Sequence, residues 1–547
     1  MAAGEKPAVS AEKQEDVLHI ETVANGDKNM VVDDSIEETE CGKMAWWISF
    51  AVSTGGFLFG QLRHPPTGID RPLTEVCLGY DTGVISSVLV MIKEDLGHAL
   101  SSSEKELVTS LTSGGALVGA VAAGMTADKY GRKFGIYLGC VLFIAGSVIQ
   151  AAAYNLAQMS AGRFIVGLGV GSAAMIIPLY IGEIAPAKYR GRMIAFDNMS
   201  VTFGQLVSYC LGAGFEHVSH GWRYTVGLGA APAVILIFML PYCPESPRQL
   251  IAHGKLEEAG RVLRKIFPKA TGKQVDDKTQ LILDSVHQVT AALEDKTLWW
   301  QLKQLFTVPA NARPLISTCV VMAVSQLGGF NTLMYYSGTL FGLVGFSNPV
   351  AVSIVVGATN FVFSLLCITL LDRFGRRIVV LVTSMGMCIS LIVAAVAFSY
   401  IPISPDLEVQ TREIDWAGIL VLVTIICYIA FFASGVATIS WVGTELLPVE
   451  VRALGTMTNT VVCWGCNIII ASTFLSMMKG MTASGAFGFY AGICFAGWSF
   501  LVFGYPEVKG LPLEMIRDVY SHGFGVRYAA KLQKERKAAK NAGCSLA

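Results

Sequence analysis

The sequence predicts an all-α membrane protein with twelve transmembrane helices in two six-helix bundles, joined by a cytoplasmic helical linker. Three observations predict it. Hydrophobic residues make up 53% of the 547-residue chain and charged residues only 15%, whereas a soluble globular chain carries roughly 25% charged residues. Apolar windows long enough to cross a ~30 Å hydrocarbon core, about 20 residues as helix, recur in two groups of six. The polar text following matched windows in the two groups repeats.

Residues 1–43 are acidic and hold no Phe, Trp or Tyr, so a disordered tail is expected there. No apolar core precedes Met44, which predicts no cleavable signal and leaves the first membrane segment to direct insertion. The N-terminal bundle covers 44–242. Span 1 is written in two pieces, 44–60 and 79–92, and spans 2 to 6 fall near 106–127, 134–153, 157–181, 193–216 and 223–242. The polar stretch 243–313 includes helical patterning such as Lys255-Leu256-Glu257-Glu258-Ala259 and reads as a small helical cap. The C-terminal bundle covers 314–504, with spans 7 to 12 near 314–338, 350–371, 378–399, 416–440, 453–476 and 484–504; residues 505–547 form a tail.

Lys and Arg in short loops set the orientation. Lys129, Arg132 and Lys133 lie between spans 2 and 3, Lys188, Arg190 and Arg192 between 4 and 5, and Arg373, Arg376 and Arg377 between 8 and 9. The alternate loops, Tyr154 to Gln158 and Gly342 to Pro349, carry no positive charge. Both termini and the linker are therefore expected in the cytoplasm, in keeping with Arg527, Lys531, Lys534, Lys537 and Lys540 in the tail.

The repeat is the strongest internal signal. Asp128-Lys129-Tyr130-Gly131-Arg132-Lys133 after span 2 matches Asp372-Arg373-Phe374-Gly375-Arg376-Arg377 after span 8. Glu183 with Arg190 after span 4 matches Glu445 with Arg452 after span 10, at identical spacing. Two bundles of parallel topology follow, with a solute site expected at their interface near mid-membrane. Asp128, Arg132, Glu183, Arg190, Asp372, Arg376, Glu445 and Arg452 are candidate gate latches, since helix-end ion pairs can form in one conformation and part in another; the plainer reading is topology signals and weak surface pairs.

Two ionisable residues stand inside apolar text, Asp81 in span 1 and Arg163 in span 4. A charge at that depth costs several kcal/mol on most scales and faces the bundle interior with a partner. An Asp whose protonation changes as Arg approaches is a workable proton carrier, and a static structural pair is the alternative. A solute with several hydroxyls calls for amides, which donate and accept, and for aromatic faces. Asn198 and Gln205 share a face of span 5; Gln326, Asn331, Tyr335 and Tyr336 line span 7; Asn360, Trp441, Trp464 and Asn467 add further groups.

Basic and acidic residues balance at 41 each, which leaves no electrostatic footprint for nucleic acid. The thirteen cysteines, Cys463 and Cys466 among them, are scattered through apolar text and read as packing residues, with no metal-ligand spacing. Gly167-x-Gly169-x-Gly171 lies inside an apolar run with no preceding strand, so it predicts close helix packing rather than a dinucleotide site. No cofactor, no metal and no enzyme constellation is expected; the expected partners are the bilayer, a small polyol or sugar and a proton, and the chain is expected to be monomeric.

From Met44 to about Phe524 the chain resembles the sugar porter family of the major facilitator superfamily. The matching residues are Gly79-Tyr80-Asp81-Thr82-Gly83, the two Asp-x-x-Gly-Arg loops, Gly162-Arg163, the two Glu–Arg pairs, Pro244-Glu245-Ser246-Pro247-Arg248 and Pro506-Glu507-x-x-Gly510. Gly329-Phe330-Asn331 through Gly338, Thr359-Asn360-Phe361 and Ile470 through Leu475 resemble fungal myo-inositol/proton symporters in particular. The resemblance implies the major facilitator fold, import of myo-inositol with a proton, and a plasma-membrane location. It assigns Asp81 to the proton with Arg163 as partner, and Asn198, Gln205, Gln326, Asn331, Asn360, Trp441, Trp464 and Asn467 to the solute. The chain departs from the family at Ser325, Ser440, Cys463 and Gln249. Transport of another polyol or a hexose, and nutrient sensing by a transporter-shaped receptor, are the competing readings.

Span 1 departs further. Where the family runs Phe-Gly-Tyr-Asp-Thr-Gly without a break, Gln61 through Gly79 intervenes between Phe59-Gly60 and Tyr80-Asp81, bringing Arg63, His64, Pro65, Pro66, Asp70, Arg71, Pro72 and Glu75. Such a segment is not expected to lie in hydrocarbon as helix. Residues 61–79 read as an aberrant insert, a translated intron or equivalent gene-structure error, with a tolerated extramembrane excursion as the alternative.

Overall fold

The computed structural model describes residues 74–293, 297–403, 415–447, 451–508 and 518–541. The expected acidic tail, the first piece of span 1 and residues 61–73 of the interruption lie outside them. Among the described residues, nine helices are each long and apolar enough to cross a membrane. Twelve spans follow from three local facts. Leu454–Gly504 turns at Met481 and Thr482, where the backbone leaves the helical region, and is therefore two spans. Ala187–Phe215, 29 residues with more polar text, is span 5. Thr74–Met91, 18 residues long, is span 1.

The remaining spans are Ser102–Tyr130, Arg132–Ala151, Leu156–Ile184 and Gly221–Tyr242 in the N-terminal half, and Pro309–Val344, Pro349–Phe374, Arg376–Ser399 and Trp416–Val442 in the C-terminal half. Local chemistry starts several of them. Span 2 opens on a capping box, Ser101 Oγ accepting from the Glu104 backbone N–H and the Glu104 carboxylate from that of Ser101. Span 4 is capped by the Asn155 side chain, and spans 7 and 8 begin at prolines whose missing N–H a helix start does not need.

Span 1 is helical further back than the sequence predicts. Thr74 to Gly79, counted above with the interruption, are helical and continuous with Tyr80 and Asp81. Cys77 is buried with Cys140, Phe143 and Ala233, and Gly79 is pressed so close to span 5 that a Cβ there would sit 1.9 Å from the Val201 carbonyl oxygen. The reason is register. Leu78-Gly79 stands where Phe59-Gly60 would stand with the interruption removed, so an apolar residue and the required glycine occupy the same places either way. Only Glu75, in the first turn, is charged.

Glycine sets the packing of the N-terminal half. Cβ atoms at Gly167 and Gly171 of span 4 would meet the Thr112 and Ala116 carbonyl oxygens of span 2 at 2.2 and 1.9 Å, and one at Gly169 would meet Gly139 O of span 3 at 2.6 Å. This is the close helix approach expected of that glycine run, and in lipid such approach replaces the hydrophobic effect as the source of association. The cysteines divide: Cys140, Cys243, Cys367, Cys463 and Cys494 are buried, but Cys210 and Cys427 are exposed on the outside of the bundle, so those two are not packing residues.

The C-terminal half is built from broken helices. Span 7 is two pieces, Pro309–Leu327 and Phe330–Val344, joined at Gly328 and at Gly329, whose φ of 92° favours glycine. Span 10 contains a π-helical stretch, Phe432–Val436, a local widening that often marks function. The two breaks touch, since the Phe330 and Phe432 rings stack with centroids 3.7 Å apart.

The linker holds helices Pro247–Ala252, Leu256–Ile266, Gly272–Leu293 and Leu298–Thr307. Ala259, Val262, Leu263, Ile266 and Phe267 share a core with Leu240, Leu250 and Ile251 below the N-terminal half. The linker lies on the side of the basic loops, because Glu245 at its start accepts from the backbone N–H groups of Arg132 and Lys133.

Candidate functional site

Two buried charges of the N-terminal half, Asp81 and Arg163, face each other. Arg163 Nη1 donates to Asp81 Oδ1 at 2.7 Å, and Arg163 Nε donates to the Val108 carbonyl at 3.3 Å, tying spans 1, 2 and 4 at one point. Asp81 is 5% exposed and Arg163 1%. At that burial neither is tolerable alone, and each is the other's compensation.

The predicted amides come together beside this pair, bonded to one another. Asn360 Nδ2 donates to Gln205 Oε1 at 2.6 Å, and Gln205 Nε2 donates to Thr82 Oγ1 at 3.0 Å. Asn331 Nδ2 and Asn467 Nδ2 both donate to Gln326 Oε1, at 2.5 and 3.4 Å. Tyr335 OH and Ser113 Oγ donate to Asn467 Oδ1, at 3.2 and 2.9 Å. Spans 1, 5 and 8 therefore share one bonded set, Thr82–Gln205–Asn360, and spans 2, 7 and 11 share a second around Gln326 and Asn467; each crosses the interface between the halves. The break in span 7 produces part of the second, since Gln326 ends one piece and Asn331 begins the next. Asn360 Oδ1 and the Trp464 indole N–H are buried with no hydrogen-bond partner, an acceptor and a donor left over from an otherwise satisfied set.

Two further predicted solute residues lie on spans 5 and 10. Asn198 pairs with Thr438 Oγ1 at 3.3 Å, and Trp441 is half-buried near the end of span 10. Tyr336 is structural, its hydroxyl bonded to the Ala471 carbonyl at 2.8 Å.

Of the candidate latches, Arg132 and Glu183 meet. Arg132 Nη2 and Nε reach the two Glu183 oxygens at 2.8 and 3.2 Å, joining the start of span 3 to the end of span 4. Both side chains are buried, and Arg132 Nη1 also donates to the Ala127 carbonyl. Arg376 is half-buried at the start of span 9. The side chains of Asp128, Arg190, Asp372, Glu445 and Arg452 lie outside the described residues.

Three carboxylates hold positions for which the sequence alone gives no role. Glu245 caps span 3, and Glu507 caps span 9 through the Arg377 backbone N–H at 3.0 Å. A signal existed, because a Pro-Glu pair follows both span 6 and span 12. The third is Glu106 of span 2, 3% exposed, which accepts from the Ser476 backbone N–H at 2.7 Å and from its hydroxyl at 2.6 Å, across the interface between halves. Nothing in its local text marks it. On the same side, opposite the basic loops, Ser86 of span 1 bonds to Ser337 and to the Gly338 N–H of span 7.

A multi-pass bundle with paired halves, a buried ion pair and amides bonded across the interface is the architecture of a membrane carrier for polar solutes. Residues 72–520 match the family described as "Sugar (and other) transporter", and the chain belongs to it. A protein named myo-inositol transporter 1 from Cryptococcus neoformans is 41% identical over 95% of this chain and 88% of its own length. Its namesake from Candida albicans is 41% identical over 92% and 88%. Among solved structures, the major facilitator superfamily proton:xylose symporter XylE bound to 6-bromo-6-deoxy-D-glucose superposes with a TM-score of 0.68 at 24% identity, over 82% of this chain and 97% of that one. The fold is the twelve-helix major facilitator fold.

Proposed function

We propose that this protein imports myo-inositol together with a proton by alternating access. The observation that carries the coupling is a chain of contacts: Asp81 pairs with Arg163, its neighbour Thr82 holds Gln205, and Gln205 holds Asn360 in the other half. The substrate class rests on the amide group and on the names of the relatives.

With the path open to the outside, the solute's hydroxyls replace the amide-to-amide bonds among Gln205, Asn360, Gln326, Asn331 and Asn467, and engage the free Asn360 Oδ1 and Trp464 N–H. An exchange of hydrogen bonds of like kind is close to neutral in energy, so the solute enters and leaves without falling into a trap. A carboxylate this deep is stable as an anion only while Arg163 faces it. When rearrangement parts the two, Asp81 takes a proton from the outside, and Arg163 keeps its bond to the Val108 carbonyl. On the inward-open side the carboxylic acid releases that proton to the cytoplasm and the ion pair re-forms. Asn198, Trp441 and Tyr335 complete the wall of the solute path. Arg132 with Glu183, and by the repeat Asp128, Arg190, Asp372, Arg376, Glu445 and Arg452, hold the cytoplasmic side closed in the outward-open state.

The basic loops support a cytoplasmic location for that side and for both termini, and the protein acts as a monomer in the plasma membrane. Residues 61–79 are foreign to the working carrier, a reading supported by the unbroken motif that their removal restores. The test is uptake of labelled myo-inositol in a transporter-deficient cell, with hexoses as competitors and external pH varied, for the full chain and for a version lacking Gln61 to Gly79. Saturable uptake that rises as the medium is acidified and resists glucose is expected. Equal competition by hexoses would move the assignment to a general sugar carrier, and a transcript that retains these codons and supports full transport would end the insert reading.

A further inference from the structure

The last linker helix, Leu298–Thr307, carries its aromatic residues on the face that a soluble surface would keep polar. Leu305 is fully buried and packs with Leu315 of span 7 and with Leu447 and Val451 at the junction of spans 10 and 11. On the opposite face Trp299 is 77% exposed, Phe306 57% and Trp300 38%, with exposed Lys303 among them. Trp299, Lys303 and Phe306 are spaced i, i+4 and i+7, which aligns them in one stripe. The helix starts where the tryptophans do, because Thr297 Oγ1 accepts from the Trp300 backbone N–H.

We infer that this helix lies in the headgroup layer of the bilayer, with the Trp299, Trp300 and Phe306 rings at the acyl boundary and Lys303 on lipid phosphate. Position argues for lipid over a protein partner. Only Val308 separates the helix from Pro309, the first residue of span 7, and Ile316 early in that span is exposed on its outer surface. Trp and Lys together are the side chains that settle at a membrane interface. Charge argues for anionic lipid. The tail helix Val526–Asn541 exposes Arg527 and Lys534 on the same side, and Arg313 fixes the segment before it by donating to the Tyr520 and Ser521 carbonyls at 2.8 and 3.1 Å. A basic stretch held this near a bilayer adds attraction to anionic headgroups. Leu305 then links the lipid surface to the lower piece of span 7, so the anchor steadies the helix whose other end holds Gln326.

The test uses the full chain in vesicles of phosphatidylcholine, with and without phosphatidylserine, alongside Trp299→Phe/Trp300→Phe. The difference in emission between the two proteins isolates these rings. It is expected to be quenched by lipids brominated near the headgroup and spared by aqueous iodide. Quenching by iodide alone, in vesicles free of other protein, overturns the assignment and turns the face toward a protein partner. As a second readout, Lys303→Glu should abolish the increase in uptake that phosphatidylserine gives while leaving uptake in phosphatidylcholine unchanged; an undiminished phosphatidylserine effect would refute the anionic contact.

Discussion

The two halves repeat one another in sequence, yet the structure makes them mechanically unlike. In the N-terminal half spans 1 and 4 run as single helices through the Asp81–Arg163 pair, and spans 2, 3 and 4 are pressed together at Gly167, Gly169 and Gly171. In the C-terminal half, spans 7 and 10 are interrupted at Gly328-Gly329 and at Phe432–Val436, beside Gln326 and Asn331. The ion pair sits where the helices run on, and two of the amides, Gln326 and Asn331, sit where they are broken. That division suits a carrier, since an ion pair needs fixed geometry to be worth its burial, while a site that must close on a solute needs backbone that can move.

The largest expected effect strikes the stiff half. Asp81→Asn should end accumulation above the external concentration while leaving equilibrative exchange, read as the steady-state ratio of labelled solute; a preserved ratio would remove Asp81 from the coupling. Arg163→Ala, which strands a buried carboxylate, should cost about 3–5 kcal/mol of stability and appear as lost folded protein in detergent. In the broken half Gln326→Ala should leave folding intact and raise KM about tenfold, the equivalent of about 1.4 kcal/mol of hydrogen bonding. Were it to unfold the protein instead, the contrast between the halves would fail.

Glycine gives a direct comparison. A methyl at Gly171 has nowhere to go, so Gly171→Ala should reduce yield. Gly329→Ala, strained at its φ of 92° and 3.1 Å from the Tyr490 ring, should spare yield more and lower the turnover rate. The two caps should behave alike, Glu245→Gln and Glu507→Gln each costing about 1 kcal/mol in thermal stability; a tenfold difference between them in transport would mean that one is also a gate.

The smallest effect concerns pH. Asp95, in the loop after span 1, is bonded to Trp222 Nε1 at 2.6 Å and to the His220 ring at 2.8 Å. Partial burial works to raise its carboxyl, but those bonds outweigh it and hold it below the usual carboxylate range. A depressed value in the folded state means the contact is complete above the ordinary value of about 3.9 and is lost only as pH falls below it. Acidifying the medium to about pH 5 should therefore leave it in place, and Asp95→Asn should not change the pH profile of uptake.

Much of this was legible in the residues. Apolar windows located the spans because hydrocarbon imposes one length on every helix, and Asp81 and Arg163 stood out because charge is rare in such text. The amides are legible by residue type, although their pairing into two bonded sets is not, since Gln205 and Asn360 lie 155 positions apart. Glu106 was invisible for the same reason: at the start of a span it looks like any helix-end acid until the fold brings Ser476 against it. The break at Gly328-Gly329 had a signal, two adjacent glycines inside apolar text, but the π-helical stretch of span 10 had none that composition could reveal. The helix at 74–79 was not legible because charge counted across the whole interruption hides the apolar run at its end.

The seam between spans 2 and 4 also bears on how the chain is made. Every residue of that contact, from Thr112 to Gly171, precedes Ile184. The first bundle can thus close on its tightest interface while the second is still being synthesised, and the later, broken helices arrive to dock on a finished surface.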